Sequence, residues 1–157
     1  MKTSKFLFFC VASVMVLVTN AFAGGKAYIP YFSTSGEDTT CIRFSNISTD
    51  EIKVNVGLKD QYGNAFTPSD NHLHLFPTGV NLGTDFNLQS KSSALICIRN
   101  TYGGGIFGYG TITYDLIDEF GNPVPDYNKR MVAHSYSSGP SGATRYLTTA
   151  INSGLPF

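Results

Sequence analysis

Ile52-Lys53-Val54-Asn55-Val56-Gly57-Leu58-Lys59-Asp60-Gln61-Tyr62-Gly63-Asn64 is the stretch that decides how this chain folds. Ile52, Val54, Val56 and Leu58 alternate with Lys53, Asn55, Gly57 and Lys59, the period of two that a half-buried strand requires. The next five residues break the alternation as a tight hairpin turn would. Asp60 bonds the turn backbone, and Gly63 or Asn64 takes the positive φ. The block then recurs. Leu116, Asp118, Gly121 and Asn122 stand 58 residues after Leu58, Asp60, Gly63 and Asn64. Cys97-Ile98-Arg99 likewise repeats Cys41-Ile42-Arg43 at a distance of 56, the difference falling in a glycine-rich segment. Two blocks repeated in the same order predict an internal repeat, about residues 39–66 and 95–124. Its two β-units cannot bury their apolar faces alone and pack against each other.

Outward from this core, strands are predicted over residues 27–32, 39–45, 72–76, 85–88, 93–99 and 111–116, with Pro30 marking the first as an edge. Residues 137–144 read as Ser/Gly/Pro loop, 146–151 as a last strand, and 152–157 as a tail that docks or frays. Composition agrees: all nine Tyr and eight of the twelve Phe follow residue 23, Trp is absent, and no long Ala/Leu/Glu/Lys stretch occurs. The expected fold is all-β, an antiparallel β-sandwich of two related halves forming a single domain over residues 24–157.

Residues 1–23 carry the three parts of a signal peptide: Lys2 and Lys5, an apolar run at 6–18, and small residues at Ala21 and Ala23. Thirteen residues are too few to cross ~30 Å of hydrocarbon at ~1.5 Å per residue. Cleavage between Ala23 and Gly24 is expected, leaving a secreted, periplasmic or cell-envelope protein with no transmembrane segment. Cys10 leaves with the leader, so Cys41 and Cys97 are expected to form a disulfide in an oxidising compartment. The bond would close a 57-residue loop, a constraint of about 4 kcal/mol. Alternation sets each cysteine opposite its neighbouring isoleucine, which predicts a bond on the less buried face.

Charge excludes one class of partner. Without Lys2 and Lys5, nine basic groups face 11 acidic ones, a net of −2 with no basic cluster, so nucleic acid is not expected. His72 and His74 could share a metal with His134, but a structural site draws four ligands from tighter clusters. The glycine-rich run from Tyr102 to Gly110 lacks the Lys-Ser/Thr ending and following helix of a phosphate loop, and reads as a loop or bulged strand. Ser141, with His134 and Asp115 as partners, lacks the strand–turn–helix setting of a nucleophile. Asp115, Asp118 and Glu119 lack the dense oxygen ligands of a calcium loop. No catalytic, cofactor-binding or metal-binding residue is assigned. The remaining candidates are aromatic: Tyr28, Tyr31, Tyr102, Phe107 and Tyr109 as a surface for sugar rings or a protein contact.

Tyr28-Ile29-Pro30-Tyr31-Phe32, then Cys41-Ile42-Arg43-Phe44-Ser45-Asn46, the strand from Val54 to Leu58 and the turn ending Gly63-Asn64 together resemble a theme of uncharacterised exported bacterial β-sandwich proteins. In that theme an IPYF segment precedes an L-x-N-x-S strand and a D-x-x-G-N turn. The layout over residues 28–125 is also similar to the sensory rhodopsin transducer family. The resemblance implies a small β-sandwich that binds carbohydrate or a partner protein, and it carries over no functional residue. The signal peptide and cysteine pair depart from that family and argue against cytoplasmic signalling. The expected function is an exported, non-enzymatic binding or structural module of the cell envelope or surface, contacting carbohydrate or protein. The alternatives are a self-assembling surface or filament subunit joined by edge-strand pairing, and a secreted hydrolase.

Overall fold

The computed structural model describes residues 24–34, 39–68, 73–99, 105–124, 128, 130–138 and 147–157. The expected leader, with His72, Tyr102 and Ser141, lies outside the described residues. The strands are β1 (Gly25–Ser33), β2 (Thr39–Asn46), β3 (Ile52–Asp60), β4 (Leu73–Phe76), β5 (Phe86–Leu88), β6 (Ser93–Arg99), β7 (Phe107–Ile117), β8 (Pro123–Val124), β9 (Met131–Ser138) and β10 (Leu147–Ala150). They form two antiparallel sheets, one ordered β1-β7-β3-β5 with β8 on the end of β7, the other β10-β9-β2-β6-β4. None of the described residues forms a helix long and apolar enough to cross a membrane.

Alternation places the core between the sheets. Ile29, Val54, Val56 and Ile112 from the first sheet meet Ile42, Phe44, Ile96, Ile98 and Met131 from the second, all fully buried. Each contributes about 1.5–3 kcal/mol by leaving water. The Phe44 ring crosses the interface to Phe86, centroids 5.9 Å apart. The antiparallel β-sandwich expected from the alternating pattern is the architecture observed.

The strand order has a twofold pattern. Exchanging β1 with β5, β2 with β6, β3 with β7 and β4 with β9 returns the same two sheets, β10 and β8 apart. In this exchange Cys41 and Cys97, directly opposite each other in the β2–β6 pair, lie on the axis. The two units do not face each other as separate halves. Each gives two strands to each sheet, so neither has a core of its own. Cys41 and Cys97 are bonded, with Cα atoms 4.0 Å apart. They lie on the outer face, opposite Ile42, Ile96 and Ile98, yet are only 5% and 7% exposed.

The two turns share one set of bonds. Asp60 N–H donates to the Asn64 carbonyl and Asp118 N–H to the Asn122 carbonyl, each at 2.9 Å. Each aspartate Oδ1 accepts two N–H groups, from Tyr62 and Asn64 or from Phe120 and Asn122, at 2.8–2.9 Å. Gly63 and Gly121 take the positive φ, at 86° and 80°. Asn64 and Asn122 do not take it. Their amides instead donate to the second aspartate oxygen at 3.3 Å, so Asn serves this turn through its side chain.

These bonds set a pH response. Partial desolvation pushes the Asp60 carboxyl up, but the Asn64 N–H and amide with the Tyr62 and Gly63 N–H groups outweigh it and hold it below the ordinary value. At Asp118 the Asn122 N–H lowers the carboxyl most, against desolvation, with the Asn122 amide and the Phe120 and Gly121 N–H groups adding to it. A carboxyl depressed in the folded state stabilises fully above its unfolded value, and that stabilisation is lost as pH falls through the folded value. Carboxyl NMR titration should therefore find both aspartates below an unfolded-peptide reference, and the Tyr62 and Phe120 amide signals should shift in step. Reference-like titration would show that the turn bonds are not formed in solution.

Three strands, β7, the two-residue β8 and β9, differ from expectation. β7 begins at Phe107 and not at residue 111, so Gly108 and Gly110 belong to a strand, one of the two readings of the glycine-rich run. β9 was not expected. Its inward residues after Met131 are Ala133 and Ser135, both buried but small or polar, so no apolar alternation announces it. The tail docks: Phe157 N–H donates to the Met131 carbonyl at 2.9 Å, and its ring lies 6.2 Å from that of Tyr114.

Candidate functional site

The outer face of the first sheet carries a groove of about 520 Å³ over β1, β7 and β3. Register sets its layout in three rows. Lys26, Thr113 and Asn55 lie side by side, then Tyr28, Thr111 and Gly57, then Tyr109 and Lys59. The wall beyond β3 is built where β5 has ended. There Gly83 N–H donates to the Val56 carbonyl at 2.8 Å and Phe66 N–H to the Leu58 carbonyl at 2.9 Å. These bonds set Leu82, Gly83 and residues 65–67 along the groove. Phe66 anchors its segment by packing on Phe32, centroids 5.1 Å apart.

Gly57 is the floor, and nothing local asks for glycine there. Its φ is one that any residue adopts, and an added Cβ would meet only Thr111 Oγ1, at 3.8 Å, an ordinary contact. Glycine in a strand interior weakens it. What the missing side chain leaves is open floor on β3, beside Thr111 and diagonal to Tyr109, with Tyr28 on the far side of Thr111. Tyr28 is 65% exposed and Tyr109 44%. The Lys26 ammonium lies 5.1 Å from the Tyr28 ring centroid, over one face, and orients the ring. Asn55 donates to Asp85 at 2.7 Å, which fixes the amide at the groove margin.

Of the aromatic candidates, Tyr28 and Tyr109 come together in this groove. Phe107 is on the same face two residues before Tyr109, and Tyr31 stands in the register shift of β1 near Pro30; both are exposed, and neither lines the groove. Tyr102 lies outside the described residues. Gly57, Lys26, Lys59 and Thr111 were not singled out from sequence. An outward glycine between valine-rich neighbours is the one signal that could have found the floor.

The twofold pattern supplies an internal comparison. Tyr28 pairs with Thr111, and Asn87 pairs with Lys53 in the same relation. By the same exchange Asp115 stands for Gly57 and Glu51 for Tyr109. That region is a second, wider groove of about 720 Å³, lined by Asp50, Glu51, Asn87, Asp118, Glu119 and Phe120 among others. Its polar groups bond one another: Asn87 donates to Glu51 at 2.5 Å, Gln89 donates to the other Glu51 oxygen, and Arg130 pairs with Asp50 at 2.5 Å. One groove is internally bonded and acidic. The other is aromatic and open.

The remaining candidates do not assemble. His74 on β4 and His134 on β9 are separated by β2 and β6, three strand spacings or about 14 Å. Asp115 and His134 lie on the outer faces of different sheets. Asp118 is committed to its own turn. The chain matches no protein-family model, no curated protein and no solved structure in the comparisons made.

Proposed function

We propose that this protein is an exported, non-enzymatic binding module of the cell envelope or surface, and that its aromatic groove holds carbohydrate. The supporting observation is Gly57, a strand glycine that packing does not require, on the floor of a groove that two exposed tyrosines also line. Tyrosine rings offer flat apolar faces to the C–H faces of a sugar, while their hydroxyls and the nearby Lys, Thr and Asn groups meet its hydroxyls. These groups recognise and orient a sugar and cleave no bond in it. The disulfide and the signal-like N-terminus support export, since such bonds persist in oxidising compartments.

The test is a pair of opposite effects from one substitution. Gly57→Val should raise stability by about 0.5–1 kcal/mol, because a β-branched residue suits a strand and has room here. The same change should abolish glycan binding measured by calorimetry, and Tyr28→Ala or Tyr109→Ala should weaken it about tenfold. A Gly57→Val protein that binds as well as the parent would end the groove reading.

A further inference from the structure

We infer that the groove takes an acidic glycan, one whose sugar rings lie on Tyr28 and Tyr109 while its carboxylates or sulfates meet Lys26 and Lys59. This rests on reading the groove as a carbohydrate site and names the ligand class. Both lysines line the groove, and no aspartate or glutamate does. Among the described residues the one ion pair is Arg130–Asp50, so no carboxylate neutralises either ammonium. Among the described residues, two carboxylates adjoining the groove are already engaged: Asp85 accepts from Asn55, and Asp60 accepts the N–H groups of its turn. The groove therefore presents two ammonium groups and the amide and hydroxyls of Asn55, Thr111 and Thr67, a donor-rich set suited to an anion.

Charge on this face is segregated. The equivalent groove at the other end of the sheet carries Asp50, Glu51, Asp118 and Glu119, a charge that Arg130, paired with Asp50, and Lys53, at the Gly121 carbonyl, offset only in part. An acidic polymer is attracted at one end and repelled at the other, which confines it to the aromatic groove. Lys26 and Lys59 stand at diagonal corners, four residues apart along β7 and two strands apart across it. Their Cα separation is about 16 Å at ~3.3 Å per residue and ~4.8 Å per strand. Two cations so spaced suit repeated anionic groups on an oligosaccharide better than the single charge of one acidic sugar.

The experiment is calorimetry and NMR shift mapping of the purified protein with three probes: oligogalacturonate, a sulfated heparin oligosaccharide and neutral cello-oligosaccharide. Binding of either or both acidic probes is expected to shift the Tyr28, Gly57, Tyr109 and Thr111 signals and to weaken with added salt. Lys26→Gln and Lys59→Gln should each cost about threefold to fivefold, whereas Lys53→Gln, outside the groove on the same face, should cost nothing. Equal losses from all three lysine variants would mean diffuse attraction and overturn the proposal. Neutral oligosaccharide binding as tightly, insensitive to Lys26 and Lys59, would overturn the acidic class while keeping the carbohydrate reading. No probe shifting the groove signals, or self-association that Lys26→Gln abolishes, would overturn both.

Discussion

Replacing Gly108 by alanine should lower stability by about 3 kcal/mol, the upper end of ordinary overpacking. The reason is backbone, not side chain. A Cβ at Gly108 would lie 1.9 Å from the Lys59 carbonyl oxygen and 2.8 Å from the Phe32 ring. Lys59 belongs to β3, the partner strand, so relief requires β3 and β7 to separate at the last pairs of their ladder. Phe32 cannot yield easily, because it is fully buried and packed on Phe66. Gly110 repeats the constraint two residues on, with an added Cβ 2.5 Å from the Gly57 carbonyl oxygen. Domains of this size are stable by only about 5–15 kcal/mol, so Gly108→Val, bulkier still, should leave little folded protein. Urea unfolding followed by circular dichroism measures the alanine effect. A loss under about 1 kcal/mol would mean that the strands are not this close at Gly108. Gly57→Val is the natural control, a glycine on the outer face of the same sheet whose replacement is expected to stabilise.

The contrast between these glycines shows what the sequence made legible. Glycine is a loop signal, and the run before residue 111 reads as a loop or a bulged strand because glycines crowd it. Yet Gly108 and Gly110 alternate with Phe107 and Tyr109, and that period of two is the strand signal, with glycine as the inward residue. Where inward residues are large, as in β2, β3 and β6, alternation alone located the strands. Where they are small, in β9 and the start of β7, it did not. The repeated turns were legible because aspartate, glycine and asparagine each do a separate local task. The groove was only half legible. Tyr28 and Tyr109 stand out as aromatics, but joining them requires β1 to lie beside β7 rather than beside β2, its neighbour in sequence. Register between distant strands has no local signature, and Lys26, Gly57 and Lys59 enter the site only through it.

Breaking the Cys41–Cys97 bond should cost about 4 kcal/mol, with the native strands left in place. The cysteines face each other across the β2–β6 pair, the central strands of the second sheet, 56 residues apart in sequence. In the chain-entropy model such a link acts on the unfolded ensemble, which loses the freedom of a loop that long. The folded side changes little, because seven residue pairs already hold β2 against β6 and the isoleucines on the opposite face supply the packing. Cys41→Ala with Cys97→Ala is the suitable variant, since serine would bring hydroxyls into a shielded place and add an unrelated loss. The double variant should keep the far-ultraviolet spectrum of the parent. Its unfolding in guanidinium should show a lower midpoint and a steeper denaturant dependence, because an unlinked chain exposes more surface when it opens. The parent protein in excess reductant should follow the same curve. A reduced parent more stable than the variant by over about 1 kcal/mol would assign part of the loss to missing sulfur packing. An unchanged midpoint in both would remove the bond from the stability of this fold altogether.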